Sequence, residues 1–146
     1  MRERTGDELL ALPVRLHGIQ LATPVDMLLD RDGLRTVGLD LLCGDEVHRF
    51  LPLATAAIDD DQIAVLSALV LLEEDGLDFY RKRTLALSAL RGGAVAQRGK
   101  DLGRLVDVVI GAAGELRAVL VEQNGRRSRL PYDATLEVAP KRRSAA

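Results

Sequence analysis

The chain has 146 residues, so it can form one domain or two very small ones. Hydrophobic residues make up 47% of the sequence and aromatic residues only 3%, so a core must consist mainly of Leu, Val, Ala and Ile. The longest apolar-rich stretch, residues 63–72, is shorter than the roughly 18 residues of a membrane-spanning helix, and the formal net charge of −2 does not favour a broadly nucleic-acid-binding surface.

Residues 1–12 are charged and are predicted to be an N-terminal extension. No apolar region follows its first arginines, so we expect no secretory signal. The single cysteine, Cys43, excludes an internal disulfide and a cysteine-based zinc site. These features predict a cytoplasmic protein without membrane insertion, and the preference for Arg over Lys is typical of a GC-rich bacterial genome.

Residues 13–70 are predicted to be a first β unit, because short apolar runs alternate with Gly, Asp and Asn. The DRDG sequence at 30–33 supplies the glycine that a tight hairpin requires. Asp26 is expected at the head of a strand, where its carboxylate accepts hydrogen bonds from turn N–H groups. Pro52 cannot donate to a neighbouring strand, so it predicts a strand at the edge of a sheet.

Residues 71–83 are predicted to form a short connecting helix. Acidic residues come first and the basic run 81–83 comes last, which suits the helix dipole. Phe79 and Tyr80, two of the four aromatic residues, are expected to pack this helix onto a barrel.

Residues 84–140 are predicted to be a second β unit that repeats the first. PVDMLLDRDG (24–33) matches LVDVVIGAAG (105–114) at an offset of 81, so that Asp107 corresponds to Asp26. Further upstream we align LHG (16–18) with LRG (90–92), which leaves 96–103 as an additional loop.

The end of the second unit repeats the features of the first. The Asn-Gly pair at 124–125 is the strongest hairpin signal in the chain, and Pro131 repeats the edge-strand signal of Pro52. The remaining residues, 141–146, form a basic C-terminal tail.

Residues 103–131 carry the sequence G-R-L-V-D-V-V-I, a glycine turn, an apolar strand and Leu-Pro, which resembles the PRC-barrel family. The junction 79–103 resembles bacterial proteins with two such barrels in tandem, and the resemblance covers roughly 13–140. It implies an all-β fold of two small PRC-type β-barrels joined by a short helix. It also implies a docking protein with no catalysis of its own, and we predict no catalytic residue, metal or cofactor.

The GDEVHR sequence at 44–49 combines the residue types of an acid–base site. A small hydrolase could use His48 with Glu46, but the aligned residues of the second unit are RRSR, with Arg127 opposite His48. His17 falls opposite Arg91 in the same way. We therefore interpret these histidines as solvated strand residues and predict no catalytic site.

Metal and thiol chemistry are not indicated either. An EF-hand loop beginning at Asp30 would need Glu at its twelfth position, where the chain has Leu41. Cys43 lies beside Gly44 in a predicted turn and is expected to be a plain turn residue or a half-buried thiol; its counterpart in the second unit is Asn124. We predict no metal site and no reactive thiol.

Charge is divided unevenly between the two halves. Residues 1–83 carry nine Lys and Arg against sixteen Asp and Glu, a net of −7, whereas residues 84–146 carry eleven against six, a net of +5. Opposite potentials favour contact between the units or between two chains, which would make a homodimer. Aromatic and basic side chains mark the predicted partner surface: Phe79, Tyr80, Arg81, Arg126, Arg127 and Arg129.

The sequence therefore predicts an adaptor that binds a protein partner. The alternative is an RNA- or ribosome-associated accessory factor, because the C-terminal domain of the RimM-type ribosome maturation factor is a PRC-barrel and the second unit is basic.

Overall fold

The computed structural model describes residues 3–141. The chain is mostly β, with 52% of residues in strands and 18% in helices, as the sequence predicted. The strands form two sheets, one of which is curled into a half-barrel.

The elements follow one another in this chain order: β1 (Arg4–Thr5), α1 (Gly6–Leu10), β2 (Val14–Leu16), β3 (Ile19–Asp30), β4 (Thr36–Cys43), β5 (His48–Pro52), β6 (Ala56–Ile58), β7 (Ile63–Val65), α2 (Glu74–Arg83), β8 (Thr84–Ala86), α3 (Leu87–Leu90), β9 (Ala94–Gln97), β10 (Lys100–Ile110), β11 (Leu116–Gln123), β12 (Arg126–Pro131) and β13 (Leu136–Val138). Two short 3-10 helices, Leu53–Thr55 and Ala68–Val70, lie on either side of the β6–β7 hairpin.

The first sheet has the order β5-β4-β3-β2-β7-β6, and β8 pairs with β3 beside it. The second sheet has the order β12-β11-β10-β9-β13, and β1 pairs with β10. Pro52 and Pro131 end β5 and β12, the outer strands, so the edge positions predicted from these prolines are confirmed.

The tight turns are made by the residues that the sequence indicated. Asn124 and Gly125 have φ values of 54° and 74°, which is the conformation of a type I′ hairpin turn. Gly33 and Gly114, at φ 80° and 83°, occupy the same place in the turns after β3 and β10. The hairpin predictions at these positions are confirmed.

The two units exchange their first strand and helix. Thr5 in β1 pairs with Val109 of the second sheet, and Ala86 in β8 pairs with Leu28 of the first. Both pairs obey the 81-residue offset, since Thr5 corresponds to Ala86 and Leu28 to Val109. The segment that precedes β2 therefore completes the second sheet, and the segment that precedes β9 completes the first.

The upstream part of our sequence alignment was wrong. His17 and Gly18 turn between β2 and β3 with φ values of 49° and 81°, and Arg98 and Gly99 turn between β9 and β10 with 51° and 80°. His17 therefore corresponds to Arg98, not to Arg91. Residues 96–103 are therefore not an additional loop. They contain the β9–β10 turn, whose counterpart in the first unit is the β2–β3 turn, so the offset of 81 holds without an insertion.

Asp26 and Asp107 lie inside the long strands β3 and β10, not at a strand head. Each stands where the pairing with the next strand shifts register, between Pro24 and Asp26 and between Leu105 and Asp107. A β-bulge of this kind bends a strand and redirects a side chain. The position expected for Asp26 was therefore wrong, although the carboxylate does accept N–H groups, as described below.

A single hydrophobic core contains buried residues of both sheets, including Leu29 and Leu39 from the first and Val108 and Val119 from the second. Leu9 of α1 belongs to the same core. In a smaller cluster, Leu77 of α2 packs with Leu28 and Phe50 of the first sheet. Units of this size expose a large share of their apolar surface, and the common core is how this chain covers it.

Cys43 is the last residue of β4 and is only 7% exposed, with its side chain in the common core. Its carbonyl accepts a hydrogen bond from the Glu46 N–H at 2.9 Å, so Cys43 also begins the hairpin turn, and its thiol is more deeply buried than expected. Among residues 3–141, no helix has the length and apolar character needed to cross a bilayer.

Candidate partner-binding surface

The GDEVHR segment forms an ion-pair network at the β4–β5 hairpin. The Arg49 guanidinium donates to both carboxylate oxygens of Asp45, at 2.9 and 2.8 Å, and to Glu73 at 3.1 Å. Hydrogen bonds from Arg49 lower the pKa of Asp45 to about 2; partial desolvation opposes this shift and the Val47 N–H adds to it. The network ties the hairpin to the residue that precedes α2.

His48 belongs to a second polar cluster, with Asp40 and Arg81. His48 Nδ1 lies 2.9 Å from Asp40 Oδ1, and Arg81 Nη2 donates to Asp40 Oδ2 at 2.6 Å. Asp40 is 6% exposed, so the two neighbouring basic groups compensate a buried carboxylate. The partner of His48 is thus Asp40, whereas Glu46, the hypothetical catalytic partner, lies in the hairpin turn with φ 65°.

The corresponding position of the second unit holds no carboxylate. Asp40 lies opposite Asp26, and the residue opposite Asp107 is Leu120. Glu122 Oε2 lies 3.5 Å from Arg127 Nε, directly across β11 and β12, where the first unit has Leu42 opposite His48. The buried carboxylate that holds α2 through Arg81 therefore belongs to the first unit.

An exposed apolar surface lies at one end of the first sheet. Leu66 and Leu69 are 85% and 91% exposed, and Ile19 is 68% exposed. Leu16 in β2 pairs with Ile19 on one side and with Val65 on the other, which brings Ile19 and the end of β7 to the same end of the sheet. We call Ile19, Leu66 and Leu69 the apolar end surface.

The backbone around Leu69 is held in place. The Ser67 hydroxyl accepts a hydrogen bond from the Leu69 N–H at 3.1 Å and caps the 3-10 helix Ala68–Val70. Leu69 is therefore exposed on an ordered turn. Fully exposed leucines in ordered positions next to one another indicate an interaction site when polar residues surround them.

A shallow depression of about 320 Å³ adjoins this turn and supplies the polar surround. The residues that line it include the apolar Leu21, Ala68 and Leu71 and the ion-paired Arg49 and Glu73. An apolar centre with a polar rim is the usual anatomy of a protein–protein interface.

The structure places the three helix residues of the predicted surface in different environments. Tyr80 stacks on Phe50 with ring centroids 4.2 Å apart, which fixes α2 to the sheet as expected. Phe79 is 48% exposed and lies beneath the Arg83 guanidinium, 3.7 Å away, so its predicted packing onto the sheet was wrong. Arg81 is bound to Asp40.

The three arginines of the predicted surface lie on β12, in the other sheet. Arg127 pairs with Glu122 and Arg129 with Glu3 at 2.9 Å, while Arg126 has no ion pair within residues 3–141. The predicted residues thus occupy two separate elements, α2 and β12. Of the basic tail, only Lys141 belongs to the described residues.

Sequence reasoning missed the apolar end surface because Leu66 and Leu69 belong to the apolar run 63–72, which predicts a core strand. The strand in fact ends at Val65. Ser67 is the signal that could have shown this, since a serine inside an apolar run often caps the start of a helix.

Within residues 3–141, no group of three or more His, Cys, Asp or Glu side chains is placed to hold a metal ion. No family model matches the chain, and no curated protein matches it.

Proposed function

We propose that this chain is a non-enzymatic docking protein of the PRC-barrel type, with two small barrel units in tandem, and that it binds a protein partner. The observation that carries the proposal is the exposure of Leu66, Leu69 and Ile19 at one ordered end of the first sheet. Burying such side chains releases about 25 cal/mol for each Å² of apolar surface removed from water.

The PRC-barrel part of the proposal rests on the repeated glycine turns and Leu-Pro strand ends. The turns at Gly33 and Gly114 have the same backbone conformation, and β5 and β12 end at equivalent prolines. The repeat preserves these architectural residues, whereas His48 and Cys43 have no equivalents. A repeat that keeps its structural residues but not its candidate reactive side chains favours a docking function over a catalytic one.

Charge indicates the chemistry of the partner. Residues 1–83, which include the apolar end surface, carry a net charge of −7. A partner segment with an apolar face flanked by Lys or Arg would be attracted to this half, and the attraction would act mainly on the association rate.

The experiment compares Leu66→Glu/Leu69→Glu with the wild-type protein as bait in a lysate of the native cell, with captured proteins quantified by mass spectrometry. The control is Val25→Glu, an exposed apolar residue of β3 outside this surface. We expect the double variant to lose a partner that wild type and control both retain. Equal recovery by all three baits would refute the proposal.

Light scattering of the same variants tests a second copy as the occupant. A wild-type dimer that becomes monomeric in the Leu66→Glu/Leu69→Glu variant, but not in Val25→Glu, would identify self-association as the use of this surface. If the wild-type protein is monomeric at all concentrations tested, the partner at this surface is a different protein.

RNA binding is the second candidate, favoured by β12. Arg126, Arg127 and Arg129 are all exposed on this outer strand, although two of them are paired with carboxylates. RNA binding predicts salt-dependent retention on immobilised RNA that the triple Ala variant abolishes. Retention that is unchanged in this variant would exclude β12 as the binding strand.

A further inference from the structure

A second cavity lies where the two repeat units meet. The turn after β3 contacts the turn after β10, with Thr36 N–H donating to Gly114 O at 2.8 Å and Arg35 Nη2 donating to Ala113 O at 2.9 Å. Beside these bonds is a groove of about 580 Å³. Small-molecule sites usually have volumes of about 300–1,000 Å³ and often lie between structural units.

The groove wall is almost entirely aliphatic. Val37, Leu53 and Ile58 contribute larger side chains, and the other apolar positions are alanines, which leave room for a ligand. The two polar contributors are Arg35 and Thr36, both at the same end of β4.

Both polar residues have unused hydrogen-bonding capacity. A guanidinium has five N–H donors, and Arg35 is bound to the Ala113 carbonyl but to no carboxylate within residues 3–141. Thr36 is 3% exposed, and its Oγ1 has no hydrogen-bond partner within the same residues. Buried hydroxyl groups are normally paired, so the Thr36 hydroxyl is available for a hydrogen bond with a polar ligand group.

This site has no counterpart in the second unit. A Cβ atom on Gly114 would lie 2.5 Å from Leu53 and 3.1 Å from Thr36 O, whereas one on Gly33 would meet nothing within 4 Å. The close approach of the turns therefore exists only on the Gly114 side. At the 79-residue offset of Leu-Pro, Ala54 and Ile58 correspond to the acidic residues Asp133 and Glu137.

We propose that this groove binds a small aliphatic monocarboxylate. The hydrocarbon chain lies along the alanine-rich wall, where its burial is favourable, and the carboxylate accepts hydrogen bonds from the exposed Arg35 guanidinium. Rotation of Thr36 about its Cα–Cβ bond directs the hydroxyl to the second carboxylate oxygen. One cation and an apolar wall fit a singly charged aliphatic acid better than a phosphate or a sugar.

The first test uses sodium octanoate as the probe, with 1-octanol as its uncharged analogue, in calorimetric and amide-shift titrations of the full chain. We expect saturable octanoate binding, with amide shifts at Arg35, Thr36, Ala57 and Ala113. Arg35→Gln should weaken octanoate binding at least tenfold while changing octanol binding less than twofold. Arg31→Gln is the matched control, because Arg31 is in the same turn but does not line the groove.

A second variant tests the apolar wall. Ala57 is exposed on β6, where a larger residue is accommodated without disturbing the core, and Ala57→Trp should abolish binding of both probes. Circular dichroism and thermal unfolding verify that this variant is folded. Absence of saturable octanoate binding, equal weakening by Arg35→Gln and Arg31→Gln, or shifts confined to the apolar end surface would overturn the proposal.

Discussion

Asp26 and Asp107 each accept a hydrogen bond from an N–H group at the start of a helix that lies far away in the sequence. Asp107 accepts from Asp7 N at 3.0 Å, at the start of α1, and Asp26 accepts from Ser88 N at 3.1 Å, at the start of α3. The first N–H groups of a helix have no partner within it, so a carboxylate there satisfies them. The sequence alignment identified both aspartates, but it could not show that their partners lie 100 and 62 residues away.

Asp107→Asn should destabilise the protein more than Asp26→Asn. Asp107 is 3% exposed and also binds Arg91, so the Asn variant leaves that arginine with only its exposed partner, Asp7. We expect a loss of roughly 2 kcal/mol in the free energy of unfolding for Asp107→Asn and roughly 1 kcal/mol for Asp26→Asn. Urea denaturation measures both, and an equal or reversed order would contradict this interpretation.

The Asp45–Arg49 pair should persist to low pH. The Arg49 hydrogen bonds lower the pKa of Asp45 to about 2, below its unfolded value, so its contribution is complete above the unfolded pKa and is lost as the pH falls through 2. An NMR titration should give an Asp45 carboxyl midpoint near 2, moving towards an ordinary value in Arg49→Gln. A midpoint near 4 in the wild-type protein would show that the pair does not form.

At the scale of elements, the sequence predicted most of the long strands and their turns, because glycines, Asn-Gly and alternating apolar residues are local signals. It did not predict β1 and β8. These strands have two and three residues, too few to show any periodicity, and only their pairing in the other unit's sheet defines them. The connecting helix was expected over 71–83 and occupies Glu74–Arg83.

Helix α2 is attached through Tyr80, not Phe79. Tyr80→Ala removes the stacking on Phe50 and should lower the free energy of unfolding by about 2 kcal/mol. Phe79→Ala removes only an exposed contact with Arg83 and should cost less than about 1 kcal/mol. Thermal and urea unfolding of the two variants compare them directly. A larger effect of Phe79→Ala would contradict the packing described here.

At the scale of the whole molecule, the two units share one core and complete each other's sheets. The candidate surface could not be predicted from the sequence. The exposure of Leu66 depends on where β7 ends and on whether another part of the folded chain packs over this residue. The opposite charges of the two halves were visible in the sequence. Some of that charge is paired between the halves within the chain, as in the Arg91–Asp7 and Arg129–Glu3 pairs.

The most direct test of this architecture is an NMR measurement of backbone nuclear Overhauser effects at the two exchanged strands. We predict contacts between Thr5 and Val109 and between Ala86 and Leu28, in a sample shown to be monomeric by light scattering. Contacts of Thr5 with Leu28 and of Ala86 with Val109 would mean that each unit keeps its own first strand, and would contradict the reciprocal arrangement.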